Sequence, residues 1–120
     1  MAIQILNGDS LEELKGLLDT IYCEVAKDLK VADLLDKPVV KFLPFIKRSE
    51  TFNPDTGVIE SYEEVGMCRE SDILIAVGIK MKFAIIHEFV HWLRPDLKEK
   101  EAQLATEQLI RLWKLRNKEE

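Results

Sequence analysis

The stretch from Ile79 to Leu93 reads IKMKFAIIHEFVHWL and decides the fold. Most of its residues are apolar, and its two histidines stand four residues apart, which puts both on one face of an α-helix. Pro95 disfavours helical geometry at the residue before it, so the helix must end close to Leu93. The stretch therefore predicts a buried helix from about Ile79 to Leu93.

The chemistry of this predicted helix lies in His87, Glu88 and His91. The two imidazoles are one turn apart, so both can reach the same Zn²⁺ ion. Glu88 would lie beside such a metal rather than on it, where it can take a proton from water and pass it to a leaving amine. Two histidines and a glutamate in an otherwise apolar helix also need something that offsets their desolvation. We predict a zinc site with Glu88 as general base and acid.

Caps, turns and periodicity predict the rest of the chain. Ser10-Leu11-Glu12-Glu13 and Asp96-Leu97-Lys98-Glu99 both have the pattern of a capping box, which opens a helix. Between them lie a β-rich segment at 39–46, which Pro44 marks as an edge strand or a bulge, a strand that ends near Phe52, an NPDTG turn at 53–57, and strands at 58–65 and 72–77. We expect one α+β domain over residues 1–120: an N-terminal helix, a small, mostly antiparallel sheet of two or three strands, the active-site helix and a C-terminal helix rich in glutamate.

Composition limits the classes of partner. A net charge of −5 and a pI near 5.1 argue against nucleic acid. The most apolar stretch, 73–93, carries two lysines besides its histidines and glutamate, which argues against membrane insertion. Residues 1–7 lack the features of a signal peptide, and Cys23 and Cys68 are typical of reduced thiols. We expect a cytoplasmic protein.

The segment from His87 to His91 resembles the active-site motif of the zincin metallopeptidases. The metzincin branch extends this motif with a glycine and a further ligand, and Arg94 and Leu97 stand at those positions here. The chain has no third histidine, so its third ligand should be acidic, as in the gluzincins, where a glutamate comes from a following helix. Its size, element order and glutamate-rich last helix are most similar to the minigluzincins, minimal soluble relatives of membrane-embedded metallopeptidases.

The resemblance implies a zinc-dependent endopeptidase that acts on a peptide or protein substrate. The substrate would extend antiparallel to an edge strand, which the segment 58–65 or 72–77 could supply. The larger gluzincins stabilise the oxyanion with a downstream histidine or tyrosine, which this chain lacks after His91, leaving Tyr62 and Arg94 as candidates. The alternative is a non-catalytic, zinc-stabilised domain that serves as an interaction module.

The resemblance also implies latency. The minigluzincins are held inactive by their C-terminal segments, within one molecule or exchanged between two. The same role here would fall on residues from about Trp113 to Glu120, which would make the chain a zymogen or a homodimer linked through this segment. The alternative is that Trp113 merely anchors the last helix.

Two glutamates compete for the role of third zinc ligand. The segment 99–103, EKEAQ, resembles the Glu-x-x-Ala-Asp segment of membrane-embedded gluzincins, in which the first glutamate binds the metal, and this favours Glu99. The second capping box instead assigns Glu99 to a hydrogen bond with the backbone of Asp96. Glu101 also lies only about 40° from Ala105 on the face that we expect to pack, where an unpaired carboxylate would be unfavourable. We therefore predict Glu101 as the ligand, with Glu99 as the alternative.

Overall fold

The computed structural model describes residues 10–31, 37–44, 46, 48–63 and 65–119. It confirms the α+β class and the order of the elements. The elements are helices α1 (Leu11–Asp28), α2 (Met81–Leu93) and α3 (Glu99–Glu119), and strands β1 (Val39–Leu43), β2 (Arg48–Asn53), β3 (Val58–Glu63), β4 (Gly66–Cys68) and β5 (Asp72–Ala76).

The described strands form two sheets. β1, β5 and β4 form a mixed sheet in that order, in which β1 runs parallel to β5 and β4 runs antiparallel to it. β2 and β3 form a separate antiparallel hairpin, and its turn closes at Gly57 with φ of 69°, as the NPDTG sequence predicts. Strand β4 and the parallel pairing were not predicted, because three residues carry little periodicity and β1 and β5 lie far apart in sequence.

The N-terminal helix begins as its sequence predicts. The Ser10 hydroxyl accepts a hydrogen bond from the Glu13 backbone at 3.2 Å, and the Glu13 carboxylate accepts one from the Ser10 backbone at 3.4 Å. The helix ends at Asp28, and Lys30 follows with φ of 58°.

Helix α2 occupies the centre of the molecule, in contact with α1, α3, β4 and β5. The ring of Phe89 packs edge-to-face on Tyr22 of α1, with the ring centres 5.4 Å apart. Because neighbours cover it on several sides, α2 is apolar around most of its circumference. Its buried apolar residues are Met81, Ala84, Ile85, Ile86, Phe89, Val90 and Leu93. No helix in the described part of the chain has both the length and the hydropathy that a bilayer span requires.

Helix α3 is tied to α1 near its C-terminal end. The buried Trp113 indole donates a hydrogen bond of 2.6 Å to the carboxylate of Asp28, the last residue of α1. The Arg116 guanidinium donates two more to the same carboxylate, at 3.0 and 3.1 Å. These bonds fix the C-terminal part of α3 against the end of α1.

Candidate metal centre

An open cleft of about 830 Å³ lies between α2, β4 and the N-terminal part of α3. Strand β4 contributes Gly66, Met67 and Cys68 to one wall. It is an edge strand, because among the described residues it pairs only with β5. The expectation that the segment 72–77 could supply an edge is wrong, since β5 has a partner on each side. In the segment 58–65, Val65 lines the cleft, and the side chains of 58–64 lie outside the described residues.

His87, Glu88 and His91 of helix α2 meet in this cleft. One nitrogen of each histidine and one carboxylate oxygen of Glu88 lie within 4.8 Å of one another, close enough that they could hold a metal ion. His87 and Glu88 are only 9% and 5% exposed, and the His91 side chain is 20% exposed. The two imidazoles contact each other edge-to-face at 4.7 Å, and Phe83 stacks on His87 at 5.9 Å. The structure thus brings together the three residues that the sequence singles out.

Glu99 joins this group from the first residue of α3. One carboxylate oxygen lies 2.8 Å from Nε2 of His87, and the other lies 2.8 Å from Nε2 of His91. Partial burial tends to raise the pKa of Glu99, but hydrogen bonds and charge attraction from the two histidines outweigh it, so this pKa lies below its ordinary value. A single carboxylate therefore spans both imidazole nitrogens.

Glu101 does not share this position with Glu99. The prediction that it lies on the packing face of α3 is wrong. Its side chain is exposed, and its carboxylate accepts a hydrogen bond of 3.1 Å from the backbone of Lys98. This is the bond that a glutamate at the third helical position makes to the N-cap residue. Glu101 thus has the capping role that the sequence pattern assigns to Glu99.

A shift in the start of α3 explains the exchange. The helix begins at Glu99 instead of just after Asp96, which moves both glutamates two positions toward its N-terminus. Asp96, the predicted cap, lies before this start, and its carboxylate accepts two hydrogen bonds from Arg94, at 2.8 and 3.0 Å. The same ion pair occupies the guanidinium of Arg94, one candidate for oxyanion stabilisation. The side chain of Tyr62, the other candidate, lies outside the described residues.

Thr106 is a site residue that sequence reasoning missed. It is fully buried on α3, and its hydroxyl lies 3.2 Å from Nδ1 of His87 and donates a 2.8 Å hydrogen bond to the carbonyl of Ala102. A signal was present, because one stripe at spacings of three and four residues includes this threonine and begins at Glu99. That stripe consists of Glu99, Ala102, Thr106, Leu109 and Trp113.

Gly66 is a second residue that sequence reasoning missed. A Cβ atom at this position would lie 3.0 Å from Cγ and 3.2 Å from Oε2 of Glu88, so the glycine lets the β4 backbone approach that carboxylate. The pKa of the Cys68 thiol, on the same strand, is also shifted. Burial raises its pKa to about 11, and the negative charge of Glu88 contributes to the shift.

The C-terminal segment does not border the cleft in the described part of the chain. No cleft-lining residue lies beyond Gln103, and Trp113 is buried against Asp28. This geometry favours the interpretation of Trp113 as an anchor of α3. Glu120 lies outside the described residues, and exchange of the segment between two chains stays a prediction.

Comparison of the chain with protein-family models, curated proteins and solved structures gives no match. The conclusion at this point is therefore physical. This is an α+β protein with a candidate metal site, formed by His87, Glu88 and His91 on one helix.

Proposed function

We propose that the protein is a zinc-dependent endopeptidase of the gluzincin type. In this proposal His87, His91 and Glu99 bind the metal and Glu88 is the general base and acid. The observation that carries the proposal is the convergence of two imidazole nitrogens on one carboxylate, with 2.8 Å between each pair of atoms, beside a buried glutamate in an open cleft.

The donor set suits zinc. Imidazole nitrogen and carboxylate oxygen are common zinc ligands, and catalytic sites use three protein ligands with a fourth position left for water or substrate. Tetrahedral zinc holds such nitrogen and oxygen atoms roughly 3.4 Å apart, given bonds of about 2.1 Å. The 2.8 Å distances are close enough that small side-chain movements would admit the ion. Two histidines and Glu99 therefore form the preferred ligand set, with Glu101 left to the helix cap.

The metal site, Glu88 and strand β4 would each have a separate role in peptide hydrolysis. Bound zinc would polarise the scissile carbonyl and acidify the attacking water. Glu88 lies within reach of the same point and would accept the proton of that water, then deliver it to the leaving amine nitrogen. The free edge of β4 would pair with the backbone of an extended substrate, which aligns the peptide with Glu88.

Substitution of Glu88 tests the proposal. Glu88→Gln should retain zinc, since the ligands are unchanged, while cleavage of an unfolded protein substrate should fall by about 10²–10⁴-fold, the usual contribution of a general base. Metal content after dialysis and the cleavage rate are measured on the same preparation. Glu101→Gln is the matched control, because it also neutralises a glutamate but leaves the cleft intact.

The outcomes separate the proposal from its alternative. A parent protein that binds zinc but cleaves no faster than Glu88→Gln would be a zinc-stabilised interaction module. A parent protein that binds no zinc would contradict both interpretations.

A further inference from the structure

We infer that Thr106 is a positioning residue that accepts a hydrogen bond from Nδ1 of His87 and thereby orients Nε2 of this imidazole for metal binding. This inference rests on the proposed zinc site. Helix α3 then has two roles at the proposed site. It carries Glu99, and it orients one of the histidine ligands.

The hydrogen bonds of Thr106 determine which atom donates. A threonine hydroxyl has one hydrogen, and Thr106 donates it to the carbonyl of Ala102 at 2.8 Å. Only oxygen lone pairs then face Nδ1 of His87, 3.2 Å away. The contact is attractive only when Nδ1 carries a hydrogen, so His87 is the donor.

The orientation of His87 follows from this contact. While Nδ1 is bonded to Thr106, the other ring nitrogen, Nε2, lies on the side of the cleft, 2.8 Å from a carboxylate oxygen of Glu99. A carboxylate only accepts hydrogen bonds, so without a metal a hydrogen on Nε2 makes this contact. A zinc ion would take the place of that hydrogen between Nε2 and Glu99, while Nδ1 keeps its hydrogen bond to Thr106. Thr106 therefore holds the ring in the direction that lets Nε2 act as a ligand.

The burial of Thr106 and His87 makes the hydrogen bond between them effective in orienting the imidazole. Thr106 and Ala102 have no exposed surface, and His87 is only 9% exposed, so water competes little for Nδ1. The stacked ring of Phe83 limits the rotation of the imidazole.

Two substitutions test the inference. Thr106→Val keeps the branched shape and removes the hydroxyl, and Thr106→Ser keeps the hydroxyl. Zinc affinity is measured by competition with a chelator, and thermal unfolding is followed on the metal-free proteins. We expect Thr106→Val to bind zinc about 10–100-fold more weakly, as loss of a partner behind a metal-binding histidine does, and Thr106→Ser to stay within a few-fold of the parent. A purely structural role would lower metal-free stability and leave zinc affinity unchanged, which would overturn the inference.

The unmodified protein offers a second, independent readout. Long-range ¹H–¹⁵N spectra of the zinc-loaded protein should show a hydrogen on Nδ1 of His87 and the metal on Nε2. Coordination of zinc through Nδ1 would overturn the inference even if Thr106→Val failed to fold. Parent protein that binds zinc, together with Thr106→Val of equal affinity, would reject the inference alone. Parent protein without zinc affinity would reject the proposed function and the inference with it.

Discussion

Glu99 and Glu101 stand two residues apart at the start of α3, and their carboxylates have different partners. Glu99 contacts both histidines, whereas Glu101 caps the helix at Lys98. We expect Glu99→Gln to lower zinc affinity by more than the roughly 100-fold that loss of an outer partner can cause, because a direct ligand is removed. Glu101→Gln should bind zinc as the parent does. Zinc content and chelator competition measure both, and metal loss confined to Glu101→Gln would contradict the assignment.

Gly66 leaves no space for a side chain beside Glu88. In Gly66→Ala the new methyl group would lie 3.0 Å from Cγ of Glu88 and 3.3 Å from Cβ of Ala84, so the glutamate must move. We expect kcat to fall by up to about 100-fold, since a misplaced catalytic group loses its alignment, while zinc stays bound.

The matched control for this substitution is Gly16→Ala, at an exposed position of α1. A Cβ there meets nothing within 4 Å, and alanine should raise the free energy of unfolding by about 0.5–1 kcal/mol in a helix. An active Gly66→Ala protein with parental kcat would show that Glu88 tolerates the displacement or does not act as the base.

At the scale of the elements, the Asp28 carboxylate joins the ends of α1 and α3. Asp28→Asn removes its charge from Arg116 and weakens its bond with Trp113. We expect the free energy of unfolding to fall by about 1–3 kcal/mol, the range for a disrupted hydrogen bond to a charged group. Denaturant titration measures this loss, and Asp19→Asn, an exposed acid on the same helix, is the control.

The same variant tests latency. If the segment from Trp113 onward restrained access to the cleft, loosening its attachment would raise the cleavage rate per folded molecule. We expect no such rise, because the described cleft lining stops at Gln103. Faster cleavage by Asp28→Asn would instead support the latent form that the family resemblance implies.

At the scale of the whole molecule, Asp72 makes stability depend on pH. A hydrogen bond from Arg69 is the largest effect that lowers its pKa, Lys41 adds to it against the opposing effect of desolvation, and the result is about 2. The folded pKa lies below the unfolded value of about 3.9, so this stabilisation is present above about pH 4 and is lost as the pH falls toward about 2. Unfolding free energies across this range should fall more steeply for the parent than for Asp72→Asn, and equal slopes would contradict the assignment.

The sequence by itself determined the parts of this protein that depend on neighbouring residues. The capping box at Ser10 and the turn before Gly57 appear where their residues predict, because each is closed by side chains or backbone angles within a few positions. His87, Glu88 and His91 meet because residues four apart, as the two histidines are, and three apart, as Glu88 and His91 are, are neighbours on the surface of an α-helix.

Only the tertiary structure decided which residues complete the site. Glu99 lies against both histidines at the first position of α3, which starts later than its sequence suggests. Thr106 meets His87 because α3 packs antiparallel to α2 in one particular rotation, and Gly66 meets Glu88 because a short edge strand passes close to the helix. These contacts join residues far apart in sequence, and local patterns cannot specify them because helix rotation and strand order follow from how the whole core packs.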